Sequence, residues 1–137
     1  LKTVIFADDG VAGTAQIAGA YFSAMADPQK ARAVVAGTTL AESYHPRVTE
    51  ALSEASVVVE KAKVVILTPE LAKGAEWLVT FAGSKVAANI QGPQRLEWPP
   101  MESPESKQSF NEVEPIRDSI AALVSGFVEE NGWSRAD

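Results

Sequence analysis

"TVIFADDGVAGTAQ", Thr3 to Gln16, is the stretch whose reading decides the fold. Val4-Ile5-Phe6-Ala7 is a short continuous apolar run, the pattern of a strand buried on both faces. Gly10 and Gly13 punctuate the loop that follows. Ile17, Tyr21 and Met25 then recur at helical spacing until Asp27-Pro28 ends the helix. In open α/β sheets, ligands bind at the carboxyl ends of strands, and loop amides leading into a helix attract anions. Yet this loop carries Asp8 and Asp9, and no Lys, Arg, Ser or Cys. An anion-binding architecture with two negative charges at its mouth needs an explanation.

Outward from that stretch, strands are predicted near residues 3–7, 31–36, 63–67 and 76–81. His45-Pro46 precedes a predicted helix near Val48 to Ala55, and Thr68-Pro69 has the residues of an N-cap and a first helical position. Strands alternating with helices predict a parallel sheet covered on both faces. Residues 83–111 break the rhythm with Pro93, Pro99, Pro100 and Pro104, and read as a long loop of the kind that forms lids. Val113, Ile116, Ile120, Leu123, Val124 and Phe127 form one apolar helical stripe, which Gly132 is placed to stop.

The 137 residues are enough for one domain with a sizeable core, and 46% hydrophobic with 22% charged residues is ordinary globular composition. The net charge of −6 argues against nucleic acid or an anionic membrane as partner. No apolar run reaches the length of a membrane span, and residues 1–6 suit a core strand better than a targeting segment, so the expected location is cytoplasmic. With no cysteine there is no disulfide, thiolate metal site or thiol chemistry, and one histidine excludes a histidine-rich metal site.

Two acidic-site patterns compete for the Asp8 loop. Dehalogenase-type phosphatases need carboxylates two residues apart, so that both point at one metal; Asp8 and Asp9 are adjacent and point apart. Receiver domains use adjacent acids, but also an Asp at the end of the third strand. Here that place reads Ile66-Leu67-Thr68-Pro69, and no fifth strand is evident to carry their lysine. Neither pattern is complete.

From Lys2 to about Gly132 the chain resembles the low-molecular-weight protein tyrosine phosphatase superfamily, on its arsenate-reductase side. "QIAGAYF" (16–22) resembles the helix after that family's anion loop. "ARAVVAGTTLAESYHPRVTEAL" (31–52) resembles its second strand, Ala-Gly-Thr turn and His-Pro helix start. "LTPELAKGAEWLVTF" (67–81), "LEWPPMESP" (96–104) and "VEPIRDSIAALV" (113–124) resemble its later strand, acid-bearing loop and C-terminal helix. The resemblance implies a three-layer α/β/α fold, a four-stranded parallel sheet of order 2-1-3-4 and flavodoxin-like connections, in a single domain over 1–137.

It also implies a binding loop made of Asp8, Asp9, Gly10, Val11, Ala12, Gly13 and Thr14. The family's nucleophilic cysteine falls on Asp8, its oxyanion-gripping arginine on Thr14, and the serine that supports the thiolate on Ala15. Its general-acid aspartate falls on Glu102, or on Ser103 if the loop has slipped by one residue. The relay cysteines of the arsenate reductases fall on Gly83 and Ala87.

The residues that carry covalent and redox chemistry in that family are therefore replaced. The expectation is a non-catalytic relative that keeps the scaffold as a binding or regulatory module for a protein or small molecule, without cofactor or metal. Asp8 is expected to fill the former anion site, its carboxylate within about 3 Å of two or more amides from residues 10–15. The alternative is an active phosphatase or hydrolase using Asp8 with a divalent metal, Asp9 sharing the ion. His45 reads as structural, Trp98 as an anchor of the loop, Trp77 as core, and Lys85 and Arg95 as solvated.

Overall fold

The computed structural model describes residues 1–59 and 62–135. Strand β1 (Lys2–Ala7) leads into helix α1 (Gly13–Met25), β2 (Ala31–Gly37), α2 (Pro46–Glu54), the two-residue β3 (Val65–Ile66) and the short α3 (Pro69–Lys73). Strands β4 (Trp77–Phe81) and β5 (Gln94–Trp98), a 3₁₀ turn (Pro104–Ser106) and the long α4 (Phe110–Glu130) complete the order. Among the described residues five parallel strands form one sheet, in the order β3-β2-β1-β4-β5. The fold class is the α/β class read from the sequence.

The 2-1-3-4 arrangement is present in β2-β1-β4-β5, but two of its segments change place. Residues 77–81 take the third position beside β1, and residues 94–98 supply the fourth. The strand expected third, at 63–67, lies at the far edge as β3, paired only at Ala36–Val65 and Gly37–Ile66. The preceding residue, Val64, is drawn into an antiparallel bridge with Ala41, and Thr68-Pro69 starts a helix soon after. Strand β5 escapes a pattern reading because it is an edge strand. Gln94, Arg95 and Glu97 face solvent, and only Leu96 and Trp98 turn inward. Residues 83–111 are consequently no structureless lid. Their first ten pack turns against the sheet, their middle is β5, and only 99–109 remain as a strap around the 3₁₀ turn.

The core follows from the alternation of strand side chains. Val4, Phe6, Val35, Val79, Phe81 and Trp98 point to one face and meet α1, α2 and α4. Ile5, Ala7, Ala36 and Leu78 point to the other, covered by Leu71 of α3 and by Val86, Ala87 and Ile90. The first face holds an aromatic cluster: Trp98 lies 5.8 Å from Phe6, 5.8 Å from Phe81 and 6.2 Å from Phe127, centroid to centroid. Trp98 thus anchors the end of β5, while Trp77 is half-buried and meets Phe127 edge-on at 5.5 Å.

Local chemistry sets the helix ends. The Nδ1 atom of His45 accepts the Arg47 N–H at 3.1 Å and caps α2, with Pro46 in the first turn. The Thr68 hydroxyl accepts the Leu71 N–H at 3.1 Å and caps α3. At the end of α4, Gly132 adopts φ 70°, the Gly132 N–H reaches Glu129 O at 3.1 Å, and the Trp133 N–H reaches Val128 O at 3.0 Å. Those are the paired hydrogen bonds of a glycine stop. Buried Arg117 ties α4 to α2, donating to Ala51 O at 3.0 Å and pairing with Glu54 and Asp118. Burial opposes its charge, but the Glu54 and Asp118 carboxylates outweigh that and hold its pKa above the ordinary value.

Candidate functional site

Strand β1 is central, with β2 on one side and β4 on the other. The chain steps outward from β1 to β2 and then crosses back to β4, so strand order reverses at β1 and the loop after it faces the resulting crevice. The loop is tied down on several sides. The Asp8 N–H donates to Ala36 O at 3.3 Å, and the Gly10 N–H to the Thr38 hydroxyl at 2.8 Å. Gly10 O accepts from the Thr38 and Thr39 N–H groups at 3.0 and 2.9 Å. Ala12, at φ 58°, takes the left-handed conformation that turns the chain into α1.

Gln16 is the hidden brace. It is fully buried; its Nε2 donates to Val11 O at 2.8 Å, and its Oε1 accepts the His45 N–H at 3.1 Å. One side-chain amide thereby fixes the loop to the start of α2. A glutamine inside the apolar helix "QIAGAYF" was the signal for it. Tyr44, next to His45, is nearly enclosed, and burial pushes its phenol up to about 12.

Asp8 does not plug the loop in the expected way. Its Oδ1 accepts the Asp9 N–H at 2.8 Å, and its Oδ2 accepts the Thr14 hydroxyl. Among the described residues no amide from 10–15 donates to it. The reason is local: Thr14, where the resemblance places an arginine, offers a hydroxyl in the first turn of α1, and the carboxylate turns to it. Asp9 points elsewhere, accepting the Lys85 N–H at 3.0 and 3.3 Å and the Ser84 hydroxyl at 3.4 Å. Adjacent side chains of an extended chain diverge, so the two aspartates hold different segments. Among the described residues no three His, Cys, Asp or Glu side chains gather where a metal could be held.

The carboxylate that reaches the loop amides comes from the strap. Glu105, inside the 3₁₀ turn, accepts the Gly13 N–H at 3.3 Å through Oε2. Its Oε1 is buried without a hydrogen-bond partner. Sequence reasoning passed over Glu105 in favour of Glu102, three residues earlier. Glu102 instead points outward, with its side chain 77% exposed, and pairs with Lys107 at 2.7 Å. Ser103 is exposed and caps the turn through its carbonyl, which accepts the Ser106 hydroxyl at 2.7 Å. Pro104 is buried, so the turn is seated with Glu105 directed inward. Arg47 holds the strap from α2, donating to Lys107 O at 3.2 Å and to Gln108 O.

The remaining sites read from the sequence are placed as follows. Thr14 and Ala15 are buried in the first turn of α1, and Gly13 lies beside them against Glu105. Val11 and Ala12 line the turn into the helix. Gly83, exposed at φ 91°, opens the turn after β4, while Ala87 is buried in the core of the second face. The Lys85 side chain faces solvent, and Arg95 reaches Ala87 O at 3.3 Å. No helix among the described residues is long and apolar enough to cross a membrane.

No protein-family model matches the chain, and no curated protein sequence does either. Solved structures do. The thioredoxin-dependent arsenate reductase of Corynebacterium glutamicum superposes with a TM-score of 0.74 at 25% identity, over 95% of this chain. The chain spans 61% of that protein's length. A low-molecular-weight protein tyrosine phosphatase from Bacillus subtilis gives a TM-score of 0.76 at 18% identity, covering 93% of this chain and 95% of its own. An arsenate reductase from Archaeoglobus fulgidus gives 0.71 at 19% identity, covering 93% and 99%. The chain therefore has the fold shared by low-molecular-weight protein tyrosine phosphatases and arsenate reductases, the superfamily its sequence resembles, and holds no cysteine to match that superfamily's nucleophile.

Proposed function

We propose that residues 1–137 form one domain that is a non-catalytic relative of these enzymes, a binding or regulatory module that keeps the scaffold. The observation that carries this reading is the fate of position 8. A thiolate nucleophile works because its pKa is low and because a positive clamp steadies the transferring group. Here the position carries a carboxylate bonded to the Thr14 hydroxyl, and the clamp position is Thr14 itself. An incoming oxyanion would meet Asp8 with no arginine to offset the repulsion. Carboxylates do form acyl-phosphates, but such sites draw on a divalent cation to lower the charge, and Asp9 is turned to the 84–85 turn instead. The proposed location is the cytoplasm, and the partner a protein or small molecule.

The test is turnover. With aryl phosphates and phosphotyrosine peptides the protein is expected to give no rate above buffer, with or without Mg²⁺. Arsenate reduction supported by thioredoxin or glutathione is expected to be absent too. Metal-dependent turnover that disappears in Asp8→Asn overturns the proposal.

A further inference from the structure

We propose that Glu105 is a built-in gate on the Asp8 loop, seated in the space that Gly13 leaves. The inference deepens the reading above by naming what closes the loop. Three observations carry it. The Glu105 carboxylate lies on the first turn of α1 and takes the Gly13 N–H at 3.3 Å, the position where helix amides favour a negative charge. A Cβ on Gly13 would overlap Oε1 of that carboxylate and lie 2.8 Å from its Cδ, so a larger residue there requires the end of the Glu105 side chain to shift. The conformation of Gly13 itself is one any residue adopts, since it is not among the positive-φ glycines. The constraint on this position therefore comes from the seated Glu105 and not from the backbone.

The strap supports the gate mechanically. Buried Pro104 seats the turn, Ser106 closes it on Ser103 O, and Arg47 binds the carbonyls of Lys107 and Gln108 from α2. The contact is nevertheless strained in its polar accounting, because Oε1 is buried with no partner. A carboxylate with one oxygen unpaired is held less firmly than a fully bonded one. Seated, it makes the protein its own anion and competes with any anion from solution. Released, it leaves the Gly13 amide open.

The experiment is a titration with inorganic phosphate, followed by backbone amide NMR, of the whole chain carrying Asp8→Asn, so that the repulsion from Asp8 is absent from every protein compared. With Glu105 present, the Gly13, Thr14 and Ala15 amides are expected to shift only at phosphate concentrations well above those that shift them in its absence. In Glu105→Ala they are expected to shift saturably, with at least about a tenfold gain in apparent affinity if the gate is closed in about nine molecules of ten. Gly13→Ala supplies a second readout that needs no ligand. It is expected to lower the melting temperature when Glu105 is present, and to leave it unchanged or raise it in the Glu105→Ala background, where the clashing carboxylate is gone and the methyl favours the helix. Equal phosphate shifts in both proteins, no shift in either, or the same Gly13→Ala effect in both backgrounds each overturns the gate. None of these results bears on turnover, so the gate and the non-catalytic reading fail separately.

Discussion

Replacing Gln16 with leucine tests whether the loop is held from within. The substitution keeps the volume and removes both polar contacts of a fully buried side chain: the donation to Val11 O at 2.8 Å and the acceptance from the His45 N–H at 3.1 Å. A hydrogen bond contributes roughly 1 kcal/mol net, and a backbone group left unpaired in the interior costs about 1–3 kcal/mol. Two such groups are stranded here, but Val11 and His45 are half-buried, so water relieves part of the cost. The expected loss is about 2–4 kcal/mol. For a chain of this length that corresponds to a fall in melting temperature of roughly 7–14 °C. Urea denaturation gives the free energy, and amide hydrogen exchange at residues 10–15 shows whether the loop loosens with it. A Gln16→Leu protein within about 0.5 kcal/mol of the original, the range of an ordinary surface change, refutes the brace.

Two other expectations follow from buried aromatic groups. The Tyr44 phenol titrates at about 12 in the folded chain and near 10 when unfolded. Its contribution is therefore complete below pH 10 and is lost as pH rises toward 12, on the order of 2–3 kcal/mol. Denaturation midpoints measured from pH 9 to 11.5 should fall more steeply for the original protein than for Tyr44→Phe, and parallel slopes count against the burial. Trp98→Ala should cost about 3–5 kcal/mol by opening a cavity among Phe6, Phe81 and Phe127; a loss under about 1 kcal/mol would mean the strand end is not anchored there.

The parts of this fold that were legible in the sequence are those with a strong local signal. Val4 to Ala7 is apolar without a break and proved to be the fully buried central strand. The capping pairs His45-Pro46 and Thr68-Pro69 each start a helix, and Gly132 stops one. Edge strands gave the trouble. "QRLEW" shows solvent three of its five side chains and carries no β-branched residue, so its pairing with β4 comes from position and not from propensity. "KVVIL" has the composition of a central strand, yet only two of its residues pair with β2. The site divides in the same way. Asp8 at the end of β1 follows from the strand and loop pattern. Glu105 does not, because its role depends on how a proline-rich strap folds back across about ninety residues of chain, which no local spacing encodes.

The proposed function requires that no phosphoryl group bond to position 8. Intact-protein and peptide mass spectrometry after acid quench, with the protein held in excess phosphotyrosine peptide and Mg²⁺, looks at that bond directly. The expected result is a chain of unchanged mass at every time point. A phosphoryl adduct that maps to Asp8, is cleaved by hydroxylamine and is lost in Asp8→Asn would contradict it.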